Sequence, residues 1–100
     1  MRQIRLFCNA GLSTSLLVNK MRKAAEEENY EVEINAFPID DVEMHADDAD
    51  IIILGPQIRF KLKETQSKFP EKKVITLDMA MYGRMDGKGV IKEVRKILGD

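Results

Sequence analysis

Cysteine occurs once in these 100 residues, so no intrachain disulfide can form, and the stapled frameworks of small secreted proteins are excluded. A lone thiol that is to stay reactive fits a reducing compartment, and a cytoplasmic location is the expectation. No apolar run approaches the roughly 20 residues of a membrane span, and Met1-Arg2 leads straight into a strand pattern with no leader-like region. Any membrane role is therefore expected to come through a partner, without direct insertion. An excess of one charge is missing too. The 16 Lys and Arg against 17 Asp and Glu leave a formal net charge of −1 and no extended basic patch, so nucleic acid is not an expected partner. The single histidine, His45, lies between Met44 and Ala46 with no second ligand at a recognisable spacing, so neither a metal site nor a cofactor is expected. No repeat, low-complexity tract or linker interrupts the chain, and its length suits one domain that buries a core without staples.

What is present is a regular alternation of strand and helix signals. Residues 3 to 8 read as a first strand, and residues 14 to 28 as a helix with Leu17, Met21, Ala24 and Ala25 at core spacing. Val32, Ile34 and Ala36 alternate with Glu31, Glu33 and Asn35 in a second strand, and that alternation suggests an edge. Pro38-Ile39-Asp40-Asp41 marks a turn and the start of a weak helix to His45. The continuous apolar run in Asp50–Leu54 suits a central strand buried on both faces. Gly55-Pro56 ends it. A helix from Gln57 to Lys68 should place Ile58, Leu62 and Phe69 on one face and Lys61, Lys63 and Glu64 in water, before Pro70. Lys73 to Leu77 gives a fourth strand, Met79 to Gly87 a loop, and Val90, Ile91, Val94, Ile97 and Leu98 the apolar face of a last helix stopped by Gly99.

Strands separated by helices imply right-handed crossovers, so the fold class is α/β: a three-layer arrangement with a parallel four-stranded sheet, helices on both faces, and strand order 2-1-3-4. In such a sheet ligands bind at the carboxy ends of strands 1 and 3, where the order reverses. Cys8 and Gly55 both fall there.

Cys8 is followed by Asn9-Ala10-Gly11-Leu12-Ser13-Thr14-Ser15. A loop leading from a strand into a helix amino terminus aims several backbone N–H groups at one spot, with a positive dipole behind them that favours a thiolate and a bound phosphate. Gly11 permits close backbone approach, Ser13, Thr14 and Ser15 add hydroxyls, and residues 9 to 15 carry no charge to repel an anion. The plainer readings are a small buried cysteine and a helix cap supplied by one of the three hydroxyl residues. A cysteine phosphatase needs a guanidinium six positions after the nucleophile to clamp the transferring group, and Thr14 stands at that position. A neutral cradle holds a phosphoryl group without hastening its hydrolysis, and a thiolate leaves more readily than an alkoxide when a hydroxyl attacks. Those properties suit a carrier.

The run Cys8 to Leu17, together with Ala36-Phe37-Pro38, Leu54-Gly55-Pro56-Gln57-Ile58 and Tyr82-Gly83 followed by Asp86-Gly87 and Gly89-Val90, resembles the B component of enzyme II of the bacterial sugar phosphotransferase system, in the lactose, cellobiose and chitobiose family. The likeness runs nearly end to end. It implies a cytoplasmic carrier whose fold is similar to that of the small tyrosine phosphatases. It implies that Cys8 takes a phosphoryl group from a phosphohistidine of the IIA component and passes it to a sugar, a β-glucoside or related disaccharide, carried by the membrane IIC component. Asn9, Ala10, Gly11, Leu12, Ser13, Thr14 and Ser15 would embrace the phosphate.

Three further residue groups lie near the same sheet edge in this reading. Asp78 ends strand four and suits either a cap or a phosphatase-like general acid. Met79, Met81 and Met85 surround Tyr82; methionines usually fill core gaps, but with Leu12 they could form an adaptable docking rim, and Tyr82 and Met81 are candidate partner or loop contacts. The competing functions are a small cysteine phosphatase and a non-catalytic anion-binding module.

Overall fold

A computed structural model describes residues 1–9 and 11–100, with Gly11, Leu12 and Ser13 described in backbone only. Four strands, β1 (Arg2–Cys8), β2 (Val32–Pro38), β3 (Ile51–Leu54) and β4 (Lys73–Thr76), form one parallel sheet in the order β2-β1-β3-β4. The helices are α1 (Gly11–Glu27), α2 (Val42–His45), α3 (Leu62–Lys68), α4 (Met79–Gly83) and α5 (Gly87–Leu98).

Side-chain alternation along the strands divides the core into two layers. Ile4 and Leu6 of β1, Ile34 of β2, and Ile51 and Ile53 of β3 pack with Leu17, Met21 and Ala24 of α1 and Val90, Ile91 and Val94 of α5. Phe7, Ile52, Leu54 and Val74 face the other way, onto Val42, Ala46 and Ile58, with Leu62 and Phe69 packed alongside. Helical segments thus cover both faces, and all four residues of β3 are buried, as its unbroken apolar run requires. The expected order, the edge position of β2 and the apolar stripe of Ile58, Leu62 and Phe69 all appear.

Three expectations need correction. The first helix begins at Gly11, not near residue 14, so Ser13, Thr14 and Ser15 lie within its opening turns and none occupies the cap position. The helix after β3 opens as a tight 3-10 segment, Pro56–Lys61, with a kink at Ile58 (φ −120°, ψ 23°), and only Leu62–Lys68 is α-helical. Pro56 gives up a backbone donor at its first position, where none is needed. The loop expected from Met79 to Gly87 contains α4, five residues long and too short to betray itself by periodicity.

Candidate functional site

Cys8 is the last residue of β1, and its place in the alternation puts its side chain on the α1 side of the sheet with Ile4 and Leu6. It is 3% exposed. The next strand over holds it from behind: Gly55 N–H donates to the Phe7 carbonyl at 2.9 Å, and a Cβ built on Gly55 would stand 3.3 Å from the Cβ of Cys8. Glycine at 55 therefore lets β3 turn away immediately beside the cysteine.

Only Asn9 and Ala10 separate β1 from α1, so the amino terminus of a 17-residue helix abuts the cysteine. Thr14, in the opening turns of α1, is 1% exposed and donates its hydroxyl to Cys8 Sγ at 2.8 Å. The same Thr14 Oγ1 lies 3.3 Å from the hydroxyl of Tyr82. The residue at the phosphatase arginine position is thus a direct partner of the sulfur. The one buried guanidinium among the described residues, Arg5, belongs to the alternate face of β1 and pairs with Asp48 at 3.1 Å, well away from the thiol's side of the sheet.

Tyr82 is brought in by α4. The Asp78 carboxylate accepts from the backbone N–H groups of Ala80 at 2.7 Å and Met81 at 3.3 Å, capping the helix that carries the ring, and Tyr82 N–H donates to the Asp78 carbonyl at 3.0 Å. Asp78 is an N-cap here, the plainer of its two sequence readings.

The other candidates separate. Asn9 and Ser15 are exposed; Ala10, and the side chains of Leu12 and Ser13, lie outside the described residues. Gly11 contributes backbone to the first turn of α1. Met81 and Met85 are half-buried against the core that includes Tyr82, whereas Met79 is 65% exposed. Leu16 and Phe60, which the sequence reading passed over, are also exposed, in segments that follow β1 and β3. His45 stacks on Phe37 with ring centroids 3.5 Å apart and planes 8° from parallel, on the face opposite Cys8. Among the described residues no group of three or more His, Cys, Asp or Glu could hold a metal ion, and no helix is long and apolar enough to cross a membrane.

Reasoning from the sequence did not find the Thr14–Tyr82 contact, which joins positions 68 apart. Each end carried a signal: Thr14 follows Cys8 by six residues, and Asp78 is a cap residue followed by the helix formers Met79, Ala80 and Met81 just before Tyr82.

Comparison with known proteins gives a consistent result. Residues 3–93 match the protein family described as "PTS system, Lactose/Cellobiose specific IIB subunit". The chain is 35% identical over 100 residues to the oligo-beta-mannoside-specific EIIB component of the PTS of Bacillus subtilis (strain 168), covering 98% of this chain and 97% of that protein. It is 35% identical over 103 residues to the cellobiose-specific EIIB component of Lactococcus lactis subsp. lactis (strain IL1403), covering 95% and 94%. Among solved structures, the cellobiose-specific phosphotransferase IIB component of Borrelia burgdorferi superposes with a TM-score of 0.75 at 31% identity, covering 91% of this chain and 85% of that one. The lactose-specific IIB component domain of Streptococcus pneumoniae gives a TM-score of 0.86 over 95% of each chain, a likeness of fold at 16% identity.

Proposed function

We propose, from the premise that this chain belongs to the lactose/cellobiose-specific IIB family of the PTS, that it is a single-domain phosphocysteine carrier in which Cys8 relays a phosphoryl group to a sugar. Sugar phosphotransfer follows from the family; the cysteine's part in it is inferred from the site. The observation that carries it is the buried Cys8 sulfur at the carboxy end of β1, held by the Thr14 hydroxyl at 2.8 Å against the amino terminus of α1.

In the first half of the cycle the Cys8 thiolate attacks the phosphorus of a phosphohistidine on a IIA component. The P–S bond forms, the P–N bond breaks, and the electron pair returns to the imidazole. In the second half a sugar hydroxyl oxygen attacks the phosphorus. The P–S bond then breaks with its pair going to sulfur, and the hydroxyl proton goes to a base on the sugar-bearing IIC component. Backbone N–H groups from Asn9 and the start of α1, with the hydroxyls of Ser13 and Ser15, are the donors for the phosphoryl oxygens in this reading, while Thr14 lines the cradle with its hydroxyl hydrogen on the sulfur. The residues from 9 to 15 that form the cradle, Ala10 and Leu12 included, carry no charge of either sign. The work takes place in the cytoplasm, at a membrane reached through IIC.

A phosphatase mechanism lacks its clamp: position 14 is threonine, and Arg5 is engaged with Asp48 on the other face. Incubation with a phosphohistidine donor, followed by phosphorus NMR, tests the carrier. A thiophosphate resonance should appear in the wild type and be lost in Cys8→Ser, while p-nitrophenyl phosphate stays unhydrolysed. A resonance that survives Cys8→Ser overturns the assignment, and steady hydrolysis of the nitrophenyl ester turns it toward a phosphatase.

A further inference from the structure

The geometry points to Tyr82 as a positioning residue for the Cys8 sulfur, acting through Thr14 in a directed chain, Tyr82 O–H to Thr14 Oγ1 and Thr14 O–H to Cys8 Sγ. It deepens the carrier reading and rests on it for its catalytic meaning.

Proton counting fixes the direction. A threonine hydroxyl has one hydrogen to give, and Thr14 gives it to Cys8 Sγ at 2.8 Å, so it must accept at its other contact. That contact is the Tyr82 hydroxyl at 3.3 Å, which becomes the donor. Both residues are buried, Thr14 at 1% and Tyr82 at 9% exposure, so neither hydroxyl can readily exchange its partner for water. A threonine inside a helix has another option, donating back to a carbonyl three or four residues earlier. By occupying an acceptor lone pair of Oγ1, Tyr82 favours the rotamer in which the hydrogen points at Cys8.

The chain gives α4, which lies between β4 and α5, a role. Asp78 caps it, the capped turn holds the ring, and the ring hydroxyl reaches Thr14. In the transfer step the effect falls on the leaving group. As the P–S bond breaks, sulfur gains the bonding pair, the Thr14 hydrogen bond to it strengthens, and Tyr82 polarises that hydroxyl further. No proton moves along the chain.

A double-mutant cycle on the full-length protein tests it without needing any phosphoryl donor. The readout is the pH profile of Cys8 alkylation by iodoacetamide, which a merely space-filling Tyr82 would not move, because Tyr82→Phe keeps the ring. Thr14→Val should move the profile to higher pH by about one unit and Tyr82→Phe by a few tenths, the sizes of a hydrogen bond to a charged group and of one behind it. Tyr82→Phe added to Thr14→Val should move it no further. Additive shifts, or no shift in Tyr82→Phe, overturn the relay. Should Thr14→Val fail to fold, Thr14→Ser keeps the hydroxyl, and Tyr82→Phe must then shift the profile on that background as it does in the wild type. Phosphorus NMR on the same proteins separates the two proposals: absence of thiophosphate in the wild type removes the carrier, while the alkylation cycle still decides the relay.

Discussion

A side chain at position 55 would share space with the thiol. A Cβ there would stand 3.2 Å from Gln57 Oε1, which can swing away, and 3.3 Å from the Cβ of Cys8, which is fixed at the end of a strand. Gly55→Ala should therefore cost little stability, under about 1 kcal/mol, while displacing the cysteine and slowing the phosphorylation proposed for it several-fold. Urea unfolding beside phosphorus NMR tests this: large destabilisation, or unchanged phosphorylation, contradicts it. Arg5 makes the opposite case, a residue whose charge is held at a cost. Its guanidinium is buried, meets Asp48 at 3.1 Å, and leaves Nη1 without a hydrogen-bond partner among the described residues. Arg5→Met should change unfolding free energy by less than about 1 kcal/mol, or raise it, because a buried ion gives way to apolar packing. Asp48→Ala strands the charge and should cost about 1 to 3 kcal/mol, although Asp48 itself is largely exposed. Equal losses in the two variants would contradict this account. Cys8 and Thr14 were legible in the sequence because motif spacing names them. The hydrogen bond between them, and Tyr82 behind it, were not, because side-chain contacts across 68 positions leave no local pattern.

At the scale of elements, the strand order was legible because each strand differs in apolar content. β3 is buried throughout and β2 alternates, which suits the first to the middle of the sheet and the second to an edge beside β1. What escaped were short helices and exact starts. The five residues of α4 span little more than one turn, and the 3-10 segment after β3 follows from Pro56 and a local kink. Helix packing depends on positions a periodicity scan ignores. Gly87 opens α5 against α1 so closely that an added Cβ would lie 2.5 Å from the carbonyl carbon of Lys20 and 2.7 Å from the nitrogen of Met21. Those atoms are backbone and cannot rotate aside, so α5 would have to lift from α1. Gly87→Ala should destabilise by about 1 to 3 kcal/mol despite the better helix propensity of alanine. Asn29, at φ 54° just beyond α1, provides the control: glycine there relieves a left-handed conformation and should add a few tenths to about 1 kcal/mol. Thermal unfolding of the two variants should move in opposite directions, and a shared direction would defeat the packing argument.

Across the whole molecule, the candidate site and the cluster that joins the two termini occupy opposite ends of the sheet. Cys8 sits at the carboxy edge, while at the amino edge Arg2 holds Asp100 through two hydrogen bonds of 2.9 Å, Tyr30 donates its hydroxyl to the same carboxylate, and Arg95 lies 4.8 Å over the Tyr30 ring. This cluster fastens the start of β1 and the turn after α1 to the end of α5. Asp100 and Tyr30 titrate far from neutrality. Hydrogen bonds from Arg2 and Tyr30 hold the Asp100 carboxyl down at about 2, from an ordinary 3.8, so its stabilising effect is complete above the ordinary value and is lost as pH falls through about 2. Burial, then the hydrogen bond to Asp100, pushes the Tyr30 phenol up to about 12 from 10.0; that contribution is complete below 10.0 and is lost as pH rises through about 12. Between 3.8 and 10.0 the Asp100 and Tyr30 contributions are both complete, so neither adds pH dependence near neutrality. Asp100→Asn tests the coupling. The Tyr30 ionisation midpoint, followed by tyrosinate absorbance in a Tyr82→Phe background while circular dichroism confirms an intact fold, should fall toward 10.0 but stop short of it, because burial still opposes the charged phenolate. An unmoved midpoint would show that Asp100 does not hold the phenol, and a full return to 10.0 would show that burial does not outweigh the pull of Arg2 and Arg95.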